Sequence, residues 1–246
     1  MFRALLLCPP MKELPLFGRF RRLKAGGASR SSVAGMNLWV SLAMILTGLN
    51  LLPIWLVRFP PLQDYPYHLL RTHIIANYSN PAYGYPEKYV LNFFPSPYSF
   101  VDYLVVILNW IFTLQFSWKL ILSLYIILFP WSIFYLIRSV NEQKTILGFF
   151  SFLFVYSWYF NMGFVNFVFS LPFFFFTLGF WWRSQNRLTW KREVLLCVLI
   201  VCVYLSHFIT YVILIFTFTI LMVLASRSIH RHMPGGMVHL CSCTTV

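Results

Sequence analysis

The bases of this 246-residue chain stand between long apolar runs and not within them. From Val194 to Ala225 there is no Asp, Glu, Lys or Arg. One helix over that stretch would reach about 48 Å, against a bilayer hydrocarbon core of about 30 Å. A chain that is 59% hydrophobic and only 10% charged cannot cover a water-facing surface, which needs roughly a quarter charged residues. Soluble enzyme, disordered tail and DNA-binding module are therefore disfavoured. The net charge of +13, from 19 Lys and Arg against six Asp and Glu, has no continuous patch for a nucleic acid. It reads instead as the orientation code of a multi-span membrane protein.

That code can be followed along the chain. Residues 1–35 form a basic cytoplasmic tail, whose apolar stretch Ala4 to Cys8 is too short for a secretory signal. Met36 to Val57 is then a signal anchor, and Arg58 to Trp118 an extracytoplasmic loop. The turns at Arg138 to Lys144, Arg183 to Arg192 and Ser226 to His232 are basic and belong inside. The uncharged interruptions Asn161 to Asn166 and Ser206-His207 belong outside. Parity leaves one of the apolar runs Tyr98 to Leu114 and Leu120 to Ile137 uncrossed. Asp102, Asn109 and Thr113 recur at helical spacing in the first, which predicts an interfacial helix. The expected fold is an all-α, multi-pass transmembrane bundle with spans at 36–57, 120–137, 146–160, 164–182, 194–205 and 209–225. Both ends are cytoplasmic, residues 226–246 form a second tail, and the expected location is a bacterial inner membrane. The third and fifth spans fall short of the usual ~17 residues. Trp110, Trp118, Tyr156, Trp158, Trp181 and Trp182 fit interfacial belts.

Chemistry concentrates in the first loop. Phe59-Pro-Pro-Leu-Gln-Asp-Tyr-Pro-Tyr-His68 is followed by Arg71 and His73. Prolines 60, 61 and 66 predict no regular helix there, with helix possible from Leu69 to Tyr78. If the turn brings Asp64 and His68 together, Asp64 can act as a base or hold a divalent metal while Arg71 pairs with a phosphate oxygen. The plainer alternative has Asp64 capping a short helix that starts near Tyr67, with His68 and Arg71 in the headgroup zone. Asp102 is either water-facing or a second acidic wall of a cavity. Asn161 and Asn166, flanking Gly163, either bind sugar hydroxyls or close helix ends. His207 is an ionisable group in an apolar turn, a site by default or a hydrogen-bonded core histidine. Glu87-Lys88 reads as a solvated pair, and Asn77-Tyr-Ser79 is a glycosylation sequon. The five cysteines give no disulfide framework, and Cys241 and Cys243 with His239 make a weak metal site.

An acid just after a first span, in a long outer loop with an interfacial helix before the second, resembles the layout of the GT-C superfamily of integral-membrane glycosyltransferases. Pro60-Pro-Leu-Gln-Asp-Tyr-Pro-Tyr-His-Leu-Leu-Arg71 is similar to a Pro-Leu-Gln-Asp-x-Pro-x-His-x-x-Arg stretch of bacterial membrane proteins grouped near it. Gly163-Phe-Val-Asn-Phe167 and Leu205-Ser-His-Phe208 are similar to later motifs of the same proteins. The resemblance covers residues 36–225. It implies transfer of a sugar from a polyprenyl-phosphate donor to an acceptor on the outer face, with Asp64 as base or metal ligand, His68 in support and Arg71 on phosphate. Substrate contacts would fall to His73, Asp102, Asn161, Asn166 and His207. Members of the superfamily often carry an acid in the next outer loop, where this chain has none, and continue with further spans, so the chain reads as an N-terminal fragment. The alternative functions are a non-catalytic assembly subunit or a transporter component.

Overall fold

A computed structural model describes residues 30–91, 96–184 and 189–232. The tail upstream of residue 30, Arg187, His239, Cys241 and Cys243 lie outside the described residues. Every regular element among the described residues is helical. In order they are α1 (Arg30–Leu56), α2 (Tyr65–Ala76), two single 3-10 turns (Pro81–Tyr83 and Tyr85–Glu87) and α3 (Phe100–Leu108). There follow α4 (Leu114–Val140), a long 3-10 segment (Glu142–Phe154), α5 (Trp158–Met162), α6 (Val165–Ser184), α7 (Trp190–Ser206) and α8 (Phe208–His232).

Four of these stretches are long and apolar enough to cross a membrane: Leu38–Leu56, Leu114–Val140, Glu142–Met162 and Val165–Ser184. The apolar part of α8, Phe208–Leu224, is shorter. Burial orders them. In the α6 window 56% of residues are inside the bundle, against 17% in α1, so α6 is the hub and α1 the rim. The outward side chains of α1, such as Leu38, Met44, Ile45 and Leu49, are apolar and exposed, as a helix facing acyl chains requires.

Alternation of direction follows from contacts at the two ends. At one end Arg138 meets Glu142, Arg183 lies over the Tyr135 ring, and Trp39 packs on Phe149. At the other, Lys119 donates to the Val57 carbonyl, Gln63 donates to Asn161, and Tyr98 packs on His207. The first is the basic end, with Lys144, Lys191 and Arg192 in the same turns; the second carries the loop. One core, with Trp118, Leu122, Tyr125, Phe160 and Phe169 fully buried, joins α2 to α6. A second holds Trp181 and Trp182 against Leu196, Val203, Leu214 and Phe218. Because α7 and α8 both pack on the last turns of α6, the chain reverses at His207, whose backbone is extended (φ −158°, ψ 117°). The Val194 to Ala225 run is therefore a hairpin and not one kinked helix.

Two glycines set how closely segments approach. A Cβ on Gly179 would lie 2.8 Å from the Tyr135 ring and 3.1 Å from the Leu136 Cα, so α6 and α4 touch there nearly backbone to backbone. A Cβ on Gly148 would lie 2.3 Å from the Phe134 ring. Gly148 belongs to the 3-10 segment, whose 13 residues far exceed the three or four that such helices usually reach. At about 2.0 Å rise per residue they extend about 26 Å, which resolves the apparent shortness of the expected 146–160 span.

Three local expectations change. Helix α2 begins at Tyr65 and includes Pro66, because a proline in the first helical turn gives up only an N–H that has no intrahelical partner. Helix α3 stops at Leu108, and Thr113 caps α4 through its side chain, so Asp102 and Thr113 do not share a polar stripe. Helix α8 continues past Ala225 to His232.

Candidate functional site at the loop end

Helix α2 is laid against the bundle by its own apolar residues. Leu62 and Tyr65 are buried in the main core, and Tyr65 and His68 both pack on the indole of Trp118. That indole N–H donates to Thr72 Oγ1 at 3.0 Å, one turn beyond His68.

The first-loop motif is fastened to the turn between α5 and α6 by three hydrogen bonds. The Gln63 amide donates to the Asn161 carbonyl at 3.0 Å, and the Asp64 amide to the Met162 carbonyl at 3.2 Å. His68 Nε2 lies 2.9 Å from the Gly163 carbonyl. A carbonyl only accepts, so Nε2 carries the proton and Nδ1 is the bare nitrogen, buried without a partner. Burial lowers the His68 pKa, and the Arg71 charge adds to this; the Gly163 contact and the Asp64 charge oppose it. Gly163 sits at φ +90°, and a Cβ there would lie 2.9 Å from both the Cβ and the backbone nitrogen of Asp64. Only glycine lets the two strands of chain meet this closely.

Asp64 occupies the N-cap position of α2, yet its side chain makes no capping hydrogen bond. The capping alternative thus has the right position and lacks the bond. The carboxylate is half-buried beside the loop surface, and among the described residues it has no ion pair.

One turn further along α2, Arg71 reaches α3. Its Nη2 lies 2.8 Å from Asp102 Oδ2, a charge contact out of line for a hydrogen bond, so both carboxylate oxygens are buried without a donor. Asp102 is 1% exposed, and burial pushes its pKa up to about 6 despite the neighbouring guanidinium. It is an inward wall and not a water-facing residue. Arg71 and Asp102 open onto a cavity of about 370 Å3, whose other sides are Ser96, Ser99 and Tyr103 on one hand and Leu70, Ile74 and Val90 on the other. Charge, hydroxyls and aliphatic surface therefore share one recess.

Tyr98 ties this recess to the α7–α8 turn. It stands at φ 71°, a rare conformation for a bulky side chain. Its carbonyl faces Arg71 Nη2 at 3.5 Å, and its ring packs edge-on against His207 at 5.0 Å. His207 in turn packs on Phe167 and caps α8: the Thr210 amide donates to Nδ1 at 3.3 Å. Ser170 Oγ donates to Thr210 Oγ1 at 2.8 Å, extending the chain of bonds into α6. His207 is a hydrogen-bonded helix-end residue, reached from the recess through an aromatic ring.

The loop end thus gathers Asp64, His68, Arg71, Asp102, the Asn161–Asn166 turn and His207. It does so unequally. Asn161 contributes its backbone carbonyl, and its side chain folds back on Tyr156. Asn166 is buried with its Oδ1 unpartnered. His73 points elsewhere, bonded through Nδ1 to the Tyr85 hydroxyl at 3.0 Å and packed on Tyr83 and Tyr85. Trp118, Gly163 as a contact point and Tyr98 are additions that sequence reasoning missed. Only Gly163, a glycine between two asparagines in a turn, carried a local signal. Among the described residues no three His, Cys, Asp or Glu side chains converge to hold a metal ion, so the donor set does not fit a dedicated metal centre. In comparisons with known proteins, no family model, curated protein or solved structure matches the chain.

Proposed function

We propose that this chain is a membrane-embedded transferase that moves a sugar from a polyprenyl-phosphate donor to an acceptor at the outer membrane face. The observation that carries the reading is the recess in which Arg71 and the buried Asp102 meet an aliphatic wall, one helical turn from His68 and two from Asp64 at the start of the same helix. A polyprenyl-phosphate sugar has the same three parts: an anionic group, a hydroxyl-rich ring and a hydrocarbon tail. Arg71 pairs with the phosphate, Asp102 holds the guanidinium in place, and Ser96, Ser99 and Tyr103 face the sugar. Asp64 accepts the acceptor's proton as its oxygen attacks the anomeric carbon. The bond from that carbon to the phosphate oxygen breaks, and the phosphate leaves with the electron pair. Displacement is direct, because Asp102, the carboxylate within the recess, is committed to the Arg71 guanidinium. No step is routed through a metal.

Asp64→Asn is expected to abolish release of polyprenyl phosphate from a panel of polyprenyl-phosphate sugars while the protein still assembles in membranes. Retained transfer overturns the assignment, and an assembly subunit without chemistry would show no turnover in either form.

The reading includes six crossings with both ends cytoplasmic in a bacterial inner membrane, supported by the alternation of the basic and loop ends. Tyr85→Cys and Asn186→Cys, each in a background with the native cysteines replaced, should be labelled by an impermeant reagent from opposite sides. Labelling from the same side removes the topology.

A further inference from the structure

A second recess, of about 800 Å3, lies at the basic end, far from Asp64. It is walled by the four segments long enough to cross a membrane: Trp39 and Ala43 of α1, Phe134 and Tyr135 of α4, Phe149 of the 3-10 segment and Phe176 of α6. Arg138, Glu142 and Arg183 stand at its polar side. The walls are held in place by the two close approaches already described. Phe134 rests where a Gly148 side chain would be, and Tyr135 where a Gly179 side chain would be. Tyr135 also carries the Arg183 guanidinium at 5.7 Å from its centroid.

We propose that this recess binds one anionic phospholipid, its phosphate on Arg183 and Arg138 and its acyl chains along the aromatic walls. Two observations favour a lipid over a soluble anion. Trp39, Val40 and Ile146, which line the recess, are all exposed and apolar, so its lateral side is one that only hydrocarbon would solvate. The polar side carries a net positive charge: Glu142 faces Arg138 at 3.2 Å, and Arg183 has no carboxylate partner among the described residues. An arginine held over an aromatic ring keeps its N–H fork for a phosphate. The site is independent of any transfer chemistry at the loop end.

Native mass spectrometry of the full chain with dioleoylphosphatidylglycerol and dioleoylphosphatidylcholine tests this. Wild-type protein should retain the anionic lipid in preference to the zwitterionic one, and Arg183→Gln should reduce that preference about fivefold, with a similar further loss for Arg138→Gln. Arg183→Lys should keep only part of it, since the ammonium retains the charge but not the stacked N–H fork. Gly148→Ala, which displaces the Phe134 wall, should weaken both lipids alike. Equal retention of the two lipids, an unchanged preference in Arg183→Gln, or a dimer whose formation excludes phosphatidylglycerol overturns the proposal. The two arginine variants decide it alone if Gly148→Ala fails to fold.

Discussion

Replacing Gly163 with alanine should detach the first-loop motif from the α5–α6 turn and be the most damaging single-methyl change in the described residues. Two costs add. An L-residue held at φ +90° is strained by about 1–3 kcal/mol, and a methyl 2.9 Å from the Asp64 backbone nitrogen overpacks the contact by about 1–3 kcal/mol more. The chain can relieve both only by moving apart, which breaks the amide bonds from Gln63 and Asp64 and the His68 bond to the Gly163 carbonyl. The melting temperature in detergent should fall on the order of 10 °C, and any activity that needs Asp64 should be lost even below that temperature. Gly48→Ala is the matched control, since nothing lies within 4 Å of a Cβ there and alanine favours helix. A Gly163→Ala protein as stable as the Gly48→Ala protein would mean that the loop is not fastened at this point.

The ion pair at the recess gives the second large effect, and it depends on pH. Folding raises the Asp102 pKa from 3.8 to about 6. Between these values the folded chain holds a proton that the unfolded chain has released. The contribution of Asp102 to stability is therefore greatest below about pH 4, falls as the pH rises to about 6, and is flat above, with a total loss of about 3 kcal/mol; the lowered His68 pKa contributes the opposite slope. Asp102→Asn should remove the falling slope. Arg71→Ala should steepen it, because the buried carboxylate loses its counter-charge; near neutral pH the cost is about 1–2 kcal/mol, since an acid with a pKa already at about 6 takes up a proton instead of staying ionised. The cost should shrink below about pH 5, where Asp102 is protonated. Combining Arg71→Ala with Asp102→Asn should recover much of the loss at neutral pH. Thermal unfolding of the four proteins across this range measures all of it; a difference between wild type and Asp102→Asn that stays constant from pH 4 to 6, or a double variant as unstable as Arg71→Ala alone, would show that the pair does not govern the recess.

The apolar runs made the helical bundle legible, since segments lacking charge over a membrane's thickness have few other fates. The chemistry was legible as residue types: Asp64, His68, Arg71, Asp102 and the Asn161–Asn166 turn all end near one another. Their pairings were not legible. His68 and Gly163 are 95 residues apart, and nothing in either stretch names the other. Pro66 was read as a helix breaker because proline removes a donor, but in the first turn of α2 that donor has no intrahelical partner to lose. Asp102 was read onto a solvent stripe by assuming an unbroken helix to Thr113; once α3 ends at Leu108, the stripe vanishes and the carboxylate is free to face Arg71. The left-handed Tyr98 and the pitch of residues 142–154 are settled by packing, at Arg71 and His207 in one case and at the Phe134–Gly148 contact in the other.

That pitch has a mechanical corollary. The 3-10 segment rises from the basic end toward the loop end, followed by α5 and Gly163, and the hydrogen bonds at Asn161, Met162 and Gly163 suspend the Asp64 motif from its tip. Rewinding those 13 residues to the α pitch would shorten the segment by about 6 Å. The carboxylate would be drawn down by a comparable distance toward the hydrocarbon. The segment is in effect a gauge rod, and its winding sets the depth of the Asp64 carboxylate.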